Sequence, residues 1–154
     1  MQPLPHLYDV NADCSTAGTL VLTANGVAEL HAAAPREFDG PGDEWSPESL
    51  LVASVASCFI LTFRAIARAA KLEWTHLECT VQGTLERRDG VTQFTKFTTR
   101  ARLTVPMTTL TDACEKALDK AERGCLIANS LHAARELQFE IDREGTRVIE
   151  TAEA

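Results

Sequence analysis

An almost unbroken apolar run, Leu50 to Phe63, entered through Ser46-Pro47-Glu48, constrains this chain more than any other feature. Ser46 is a good N-cap, Pro47 suits the first helical position because its missing N–H is no loss there, and Glu48 faces the positive end of the helix dipole. A helix is predicted from here to about Ala70. It is apolar almost all round until Arg64, Arg68 and Lys71 give it a polar side. Such a helix belongs in the middle of a core or at an interface. The run is interrupted by Ser54, Ser57 and Thr62 and is too short to span a bilayer before Arg64 arrives, so no membrane span is expected.

The rest of the chain supplies sheets to cover that helix. Thr19–Ala24 and Val27–Ala32 flank Asn25-Gly26, a pair that tolerates positive φ and so predicts a β-hairpin. Pro35 to Trp45, rich in Gly, Pro and acid, has no periodicity and reads as an ordered loop. After the helix, Trp74 to Arg88 and Val91 to Val105 alternate as two long strands around Asp89-Gly90, with Phe97, Ala101, Leu103 and Val105 on the inner face. Leu110, Ala113, Ala117, Leu118 and Ala121 recur at helical spacing within Thr109 to Arg123, and Gly124 is placed to end that helix. A helical turn, Ile127 to Ala134, and a last strand, Leu137 to Ile141, complete the order ββ-α-ββ-α-β. The fold class is α+β, with antiparallel sheets around a central apolar helix.

A chain of 154 residues is enough for one domain with a real core. A formal net charge of -7, with no cluster of Lys or Arg, gives no pull toward phosphate backbones, so nucleic acid is not expected as a partner. The first twenty residues lack both a basic start and an apolar core of the signal-peptide kind, so a cytoplasmic protein is expected. There the five cysteines, none spaced CxxC, are expected as free thiols, or as a reactive pair with spares. The four histidines are scattered, and no metal site is expected.

Two of the cysteines have distinctive settings. Cys58 sits three turns into the apolar helix, where a cysteine taken alone reads as an inert small hydrophobe. Cys125 follows the Gly124 stop directly, where the amides of the next turn could stabilise a thiolate, although taken alone it reads first as an ordinary junction cysteine. The segment Ser46-Pro-Glu-Ser-Leu-Leu-Val-Ala-Ser-Val-Ala-Ser-Cys58 resembles the signature of the OsmC/Ohr family. In that signature a Pro-Glu helix start leads through small and apolar residues to a cysteine ten positions after the glutamate, as Glu48 leads to Cys58 here. Ala121-Glu-Arg-Gly-Cys125-Leu-Ile-Ala-Asn-Ser130 is similar to the segment around the family's second cysteine, and the order of elements agrees over most of the chain.

The resemblance implies a thiol-dependent peroxidase that reduces organic hydroperoxides to alcohols, with Cys58 as the attacking thiol and Cys125 as the partner in a Cys58–Cys125 disulfide. It implies no bound cofactor, an external dithiol or lipoyl-type reductant, and an intertwined homodimer. It also implies an arginine held by the Pro-Glu glutamate. Arg36 is the only arginine before Arg64 and occupies the expected loop, so it is the candidate, with Glu48 to grip it. That loop is longer and more acidic from Asp39 to Trp45 than is usual in the family. Trp45, Phe59 and Phe63 are candidate contacts for an alkyl or aryl hydroperoxide, and equally fit a plain core. Two other functions remain open on the same residues: a module that binds an apolar small molecule, and a redox-responsive thiol protein. Cys14, Cys79 and Cys114 match no family position and are expected as bystanders.

Overall fold

The structure, a computed structural model, describes residues 1–145 and divides into two compact units, one from Met1 to Leu51 and the other from Val52 onward. The first holds a small antiparallel sheet of β1 (Asn11–Asp13), β2 (Leu20–Thr23) and β3 (Leu30–Ala32), in the order β1-β2-β3. β1 was not anticipated, because Asn11-Ala12-Asp13 is fully exposed and carries no apolar alternation to announce a strand. The hairpin is present, but its register differs. A two-residue turn at Asn25-Gly26 would pair Leu22 with Glu29, whereas Leu22 faces Leu30, Val21 faces His31 and Leu20 faces Ala32. Gly26 at φ 78° supplies the left-handed residue, and the strands close through a longer loop.

The loop after β3 is ordered, as its composition suggests. It contains a single 3-10 turn, Arg36–Phe38, and is fastened to β3 by the Ala33 amide donating to the Trp45 carbonyl at 2.8 Å. Gly40 has no alternative here, since a Cβ at that position would lie 1.6 Å from the Ala34 carbonyl oxygen. α1 (Pro47–Ala69) then starts as its sequence dictates. The Ser49 amide donates to Ser46 Oγ at 3.1 Å and the Ser46 amide to Ser49 Oγ at 2.9 Å, a capping box with serine at both places. It ends with Lys71 at φ 51° and the Leu72 amide bonded back to the Ala67 carbonyl.

The second unit packs the body of α1 against β4 (His76–Arg88), β5 (Val91–Val105), α2 (Thr111–Gly124), α3 (Leu126–Asn129) and β6 (Ala134–Arg143). Val55, Phe59, Phe63 and Ala67 recur every four residues and form the buried stripe of α1. Phe59, Phe63 and Ala67 join Leu77, Ala101, Leu103, Val105 and the inner face of α2 in one core. Phe97, Ala101, Leu103 and Val105 face inward as expected. A bulge between Thr84 and Leu85 leaves Thr95 unpaired on β5 and lets Phe94 stack on Phe97, with ring centroids 5.2 Å apart.

The sheet order is β4-β5-β6, and here the expectation of purely antiparallel sheets needs correction: β6 runs parallel to β5, from Lys96↔Ala134 to Val105↔Arg143. The physical reason is the connection. Parallel neighbours need a crossover of a dozen or more residues, which α2 and α3 provide. β6 also extends beyond Leu137–Ile141 at both ends, and α3 is a single turn ending at Asn129 rather than Ala134. α1 has 23 residues and contains an 18-residue window with a mean hydropathy of 2.1, which by length and composition would suffice to cross a bilayer. Its buried stripe instead packs against strands and a second helix, as the core helix of a soluble fold.

Candidate active site

Cys58 lies beside the buried stripe of α1, one helical position before Phe59, and is half-buried. One turn on, Thr62 brings its hydroxyl to 3.9 Å from the Cys58 sulfur. The other wall of the site is the α2–α3 junction. Gly124, the last residue of α2, approaches α1 so closely that a Cβ there would stand 3.3 Å from Thr62 Cγ2. The next residue, Cys125, is fully buried and has its sulfur 4.0 Å from the Val55 carbonyl oxygen. The junction thus meets α1 at Val55 and Thr62, on either side of Cys58. No local signal announces this contact, because the importance of Gly124 lies in the space it leaves and not in a positive φ.

The contact sets the two thiols in opposite directions. Burial pushes Cys58 up, but the backbone amide of Ile127, the Cys125 thiol, the Thr62 hydroxyl and the Leu126 amide outweigh it and hold Cys58 below the usual thiol range. Burial also pushes Cys125 up, with a smaller contribution from its bond to Cys58 and from the charges of Cys58 and Glu122, to about 11. The amides after Gly124 are divided between the two sulfurs: those of Leu126 and Ile127 serve Cys58, while that of Ala128 serves Cys125, as the sequence suggests, but is outweighed there by burial. Cys125 itself precedes the turn in extended backbone, at φ -66° and ψ 100°.

The remaining candidates are placed differently. Phe59 and Phe63 are fully buried in the core, and Phe63 meets Trp74 edge-on with centroids 5.4 Å apart. They brace α1 from behind Cys58 and offer no accessible face. Trp45 is 48 % exposed. Arg36 is exposed and curls over Gly42, whose φ of 78° keeps a glycine there and whose missing Cβ leaves room for Arg36 Nε. Among the described residues no ion pair joins Arg36 to Glu48. Glu48 lines an apolar cleft with Leu20, Ala34, Pro35 and Phe38, and its Oε2 is buried with no hydrogen-bond partner among the described residues.

All five cysteines are free. Cys14 is exposed and Cys114 is in the core, but Cys79 on β4 lies near enough to feel Glu122 and Cys125, which together with burial, the largest cause, raise it to about 11. Sequence reasoning missed Thr62, Leu126 and Ile127. Thr62 was discoverable as the residue one turn after Cys58; the amides, being backbone, carry no side-chain signal.

A relative in sequence is the uncharacterised protein YmaD of Bacillus subtilis, 29% identical over 109 residues that cover 69% of this chain and 73% of that one. In structure the chain is similar to an OsmC-like protein of unknown function from Vibrio cholerae, with a TM-score of 0.81 at 19% identity, covering 88% of this chain and all of the other. It is also similar to an organic hydroperoxide resistance protein from Legionella pneumophila, with a TM-score of 0.71 at 21% identity, covering 91% of this chain and 99% of that one. The sequence model of the OsmC-like proteins matches residues 40–141, which include the whole of α1, both thiols and most of the second sheet, and this chain therefore belongs to the OsmC-like family.

Proposed function

We propose that the chain is a two-cysteine thiol peroxidase that reduces organic hydroperoxides to alcohols. The observation that carries this reading is the pairing on α1: Cys58, held toward its thiolate by the Ile127 and Leu126 amides, within hydrogen-bonding reach of a protonated Cys125. A thiolate is the form that attacks a peroxide, and a neighbouring thiol is what resolves the product. The fold shared with a protein named for organic hydroperoxide resistance supports the choice of substrate class.

The Cys58 thiolate attacks the terminal oxygen of R–O–OH. An S–O bond forms, the O–O bond breaks, and the departing alkoxide takes a proton to become the alcohol, leaving a sulfenic acid on Cys58. The Cys125 sulfur then attacks Cys58, the new S–S bond displaces the sulfenic oxygen, and this leaves as water with the Cys125 proton. An external dithiol of the lipoyl type restores both thiols by two exchanges and is itself oxidised to a disulfide, so no resident cofactor is needed. Glu48, with a buried oxygen unsatisfied among the described residues, is assigned to grip Arg36 and hold its guanidinium over the thiolate. In this reading the catalytic unit is a cytoplasmic homodimer, in which Arg36 and Glu48 of one protomer serve the thiol of its partner. Trp45 is the aromatic contact for the organic group, while Phe59 and Phe63 act from the core by fixing α1.

The test is turnover. Purified protein with cumene hydroperoxide and excess dithiothreitol should consume many equivalents of peroxide per chain. Consumption that stops at one equivalent, or binding of the hydroperoxide with no loss of thiol, would leave a module that takes up apolar molecules as the better account.

A further inference from the structure

The segment that carries Cys125 is short, and its only regular structure is the four-residue α3. A helix of that length does not hold itself. It is held by Arg135, the second residue of β6. Arg135 Nε donates to Glu122 Oε1 at 2.7 Å, Nη1 donates to Asn129 Oδ1 at 2.7 Å, and Nη2 donates to the Glu122 carbonyl oxygen. Asn129 Nδ2 donates in turn to the Arg123 carbonyl at 3.1 Å. The Arg135–Glu122 ion pair is sheltered, with side chains 24% and 17% exposed, unlike the other Arg and Lys pairs, which lie at the surface. Glu122 stands on the last turn of α2 and Asn129 is the last residue of α3. One guanidinium therefore ties the two ends of the stretch that contains Cys125, Leu126 and Ile127.

We propose that Arg135 is a positioning residue for the thiol site: through Glu122 and Asn129 it keeps the Leu126 and Ile127 amides and the Cys125 thiol against Cys58. The stretch meets α1 through Gly124 near Thr62, Cys125 at Val55 and the Leu126 and Ile127 amides at Cys58, and Arg135 fastens both of its ends, so the aim of those two N–H groups depends on this brace. The planar fork of arginine reaches a carboxylate, a carbonyl and an amide oxygen from three separate nitrogens, a spread that the single nitrogen of an ammonium group does not match. The other titratable groups around the pair are Glu122 itself and Cys79 of β4.

This inference rests on Cys58 being the reacting thiol, but it is tested without peroxide, so it can fail while turnover stands and stand while turnover fails. The experiment follows iodoacetamide alkylation of Cys58 against pH by peptide mass spectrometry, well below the Tm of each variant. Arg135→Ala should slow alkylation at neutral pH roughly tenfold, the worth of one hydrogen bond to a charged group, and move the profile to higher pH. Arg135→Lys should restore part of the rate. Asn129→Ala should act in the same direction, and the double variant should be no slower than Arg135→Ala alone. A lowered Tm with an unchanged alkylation profile would make Arg135 a brace of the fold only and overturn the proposal. Should Arg135→Ala not fold, Arg135→Lys and Asn129→Ala decide between the same two outcomes.

Discussion

Cys58 and Cys125 are chemically identical side chains in contact, and what separates them is which atoms replaced their water. Cys58 received two backbone amides and a hydroxyl; Cys125, more deeply buried, received one amide, that of Ala128, beside the Val55 carbonyl, an acceptor that gives a thiolate nothing. A thiol at about 11, like Cys125 or Cys79, is ionised to roughly one part in ten thousand at neutral pH. Limited alkylation at neutral pH should therefore label Cys58 well before either of them, and equal labelling would remove the basis for calling Cys58 the nucleophile. Replacement by serine should separate the roles. Cys58→Ser should give no oxidation product with cumene hydroperoxide, whereas Cys125→Ser should react once and then climb to sulfinic acid as peroxide is raised. Wild type should lose two hydrogens by intact mass, the signature of a disulfide. Arg36→Ala should lower turnover far more than it lowers Tm, because the side chain is exposed and has no ion pair among the described residues; equal losses in both would mean that it only supports the loop around Gly42. At this scale the two thiols were legible through the motifs around them. That two of the junction amides reach across to Cys58 was not, since it depends on how closely Gly124 approaches Thr62, a tertiary fact with no local signal.

Elements whose signals are local were read correctly, and those fixed by partners were not. The Ser46 cap, Pro47 start and apolar run set α1, and Gly124 marked the end of α2, because capping and helix termination act within one turn. The hairpin register and the direction of β6 depend on the length of a loop and on a crossover, so strand-like stretches alone left them open. β1 exists only by pairing with β2. The same distinction gives a prediction for the α2–α3 junction. At an ordinary position near a helix end, Gly→Ala stabilises by up to about 1 kcal/mol. At Gly124 the new Cβ would press on Thr62 Cγ2 at 3.3 Å, so the junction must recede from α1 by a few tenths of an ångström. Gly124→Ala should leave Tm within a few degrees of wild type while slowing Cys58 alkylation, and Gly124→Val should do more of both. A variant that alkylates at the wild-type rate would show that the site tolerates the shift and that close approach at Gly124 is a matter of packing alone.

At the scale of the whole molecule the problem is what covers α1. Of its 23 residues only Val55, Phe59, Phe63 and Ala67 are buried in the single chain, and Leu61 stands 57 % exposed in the middle of an apolar run. Leaving that much apolar helix in water forgoes roughly 25 cal/mol for every Å² that could be covered. A second copy is the simplest cover: an isologous contact about a two-fold axis uses the same face twice and needs no other partner. The proposed mechanism asks for the same arrangement. Ten residues of helix rise about 15 Å, so Glu48 and Cys58 of one α1 cannot hold a single arginine side chain between them, whereas an antiparallel pair of such helices sets the start of one beside the middle of the other. The expected outcome is a dimer by light scattering at micromolar concentration. Leu61→Glu should weaken it, because the residue costs little in an isolated chain, where it already meets solvent, but would bury two like charges at a contact. If the dimer is also the catalytic unit, that variant should lose turnover and regain it as protein concentration rises. A wild-type monomer with full turnover would detach the mechanism from the dimer and require the arginine beside Cys58 to come from its own chain.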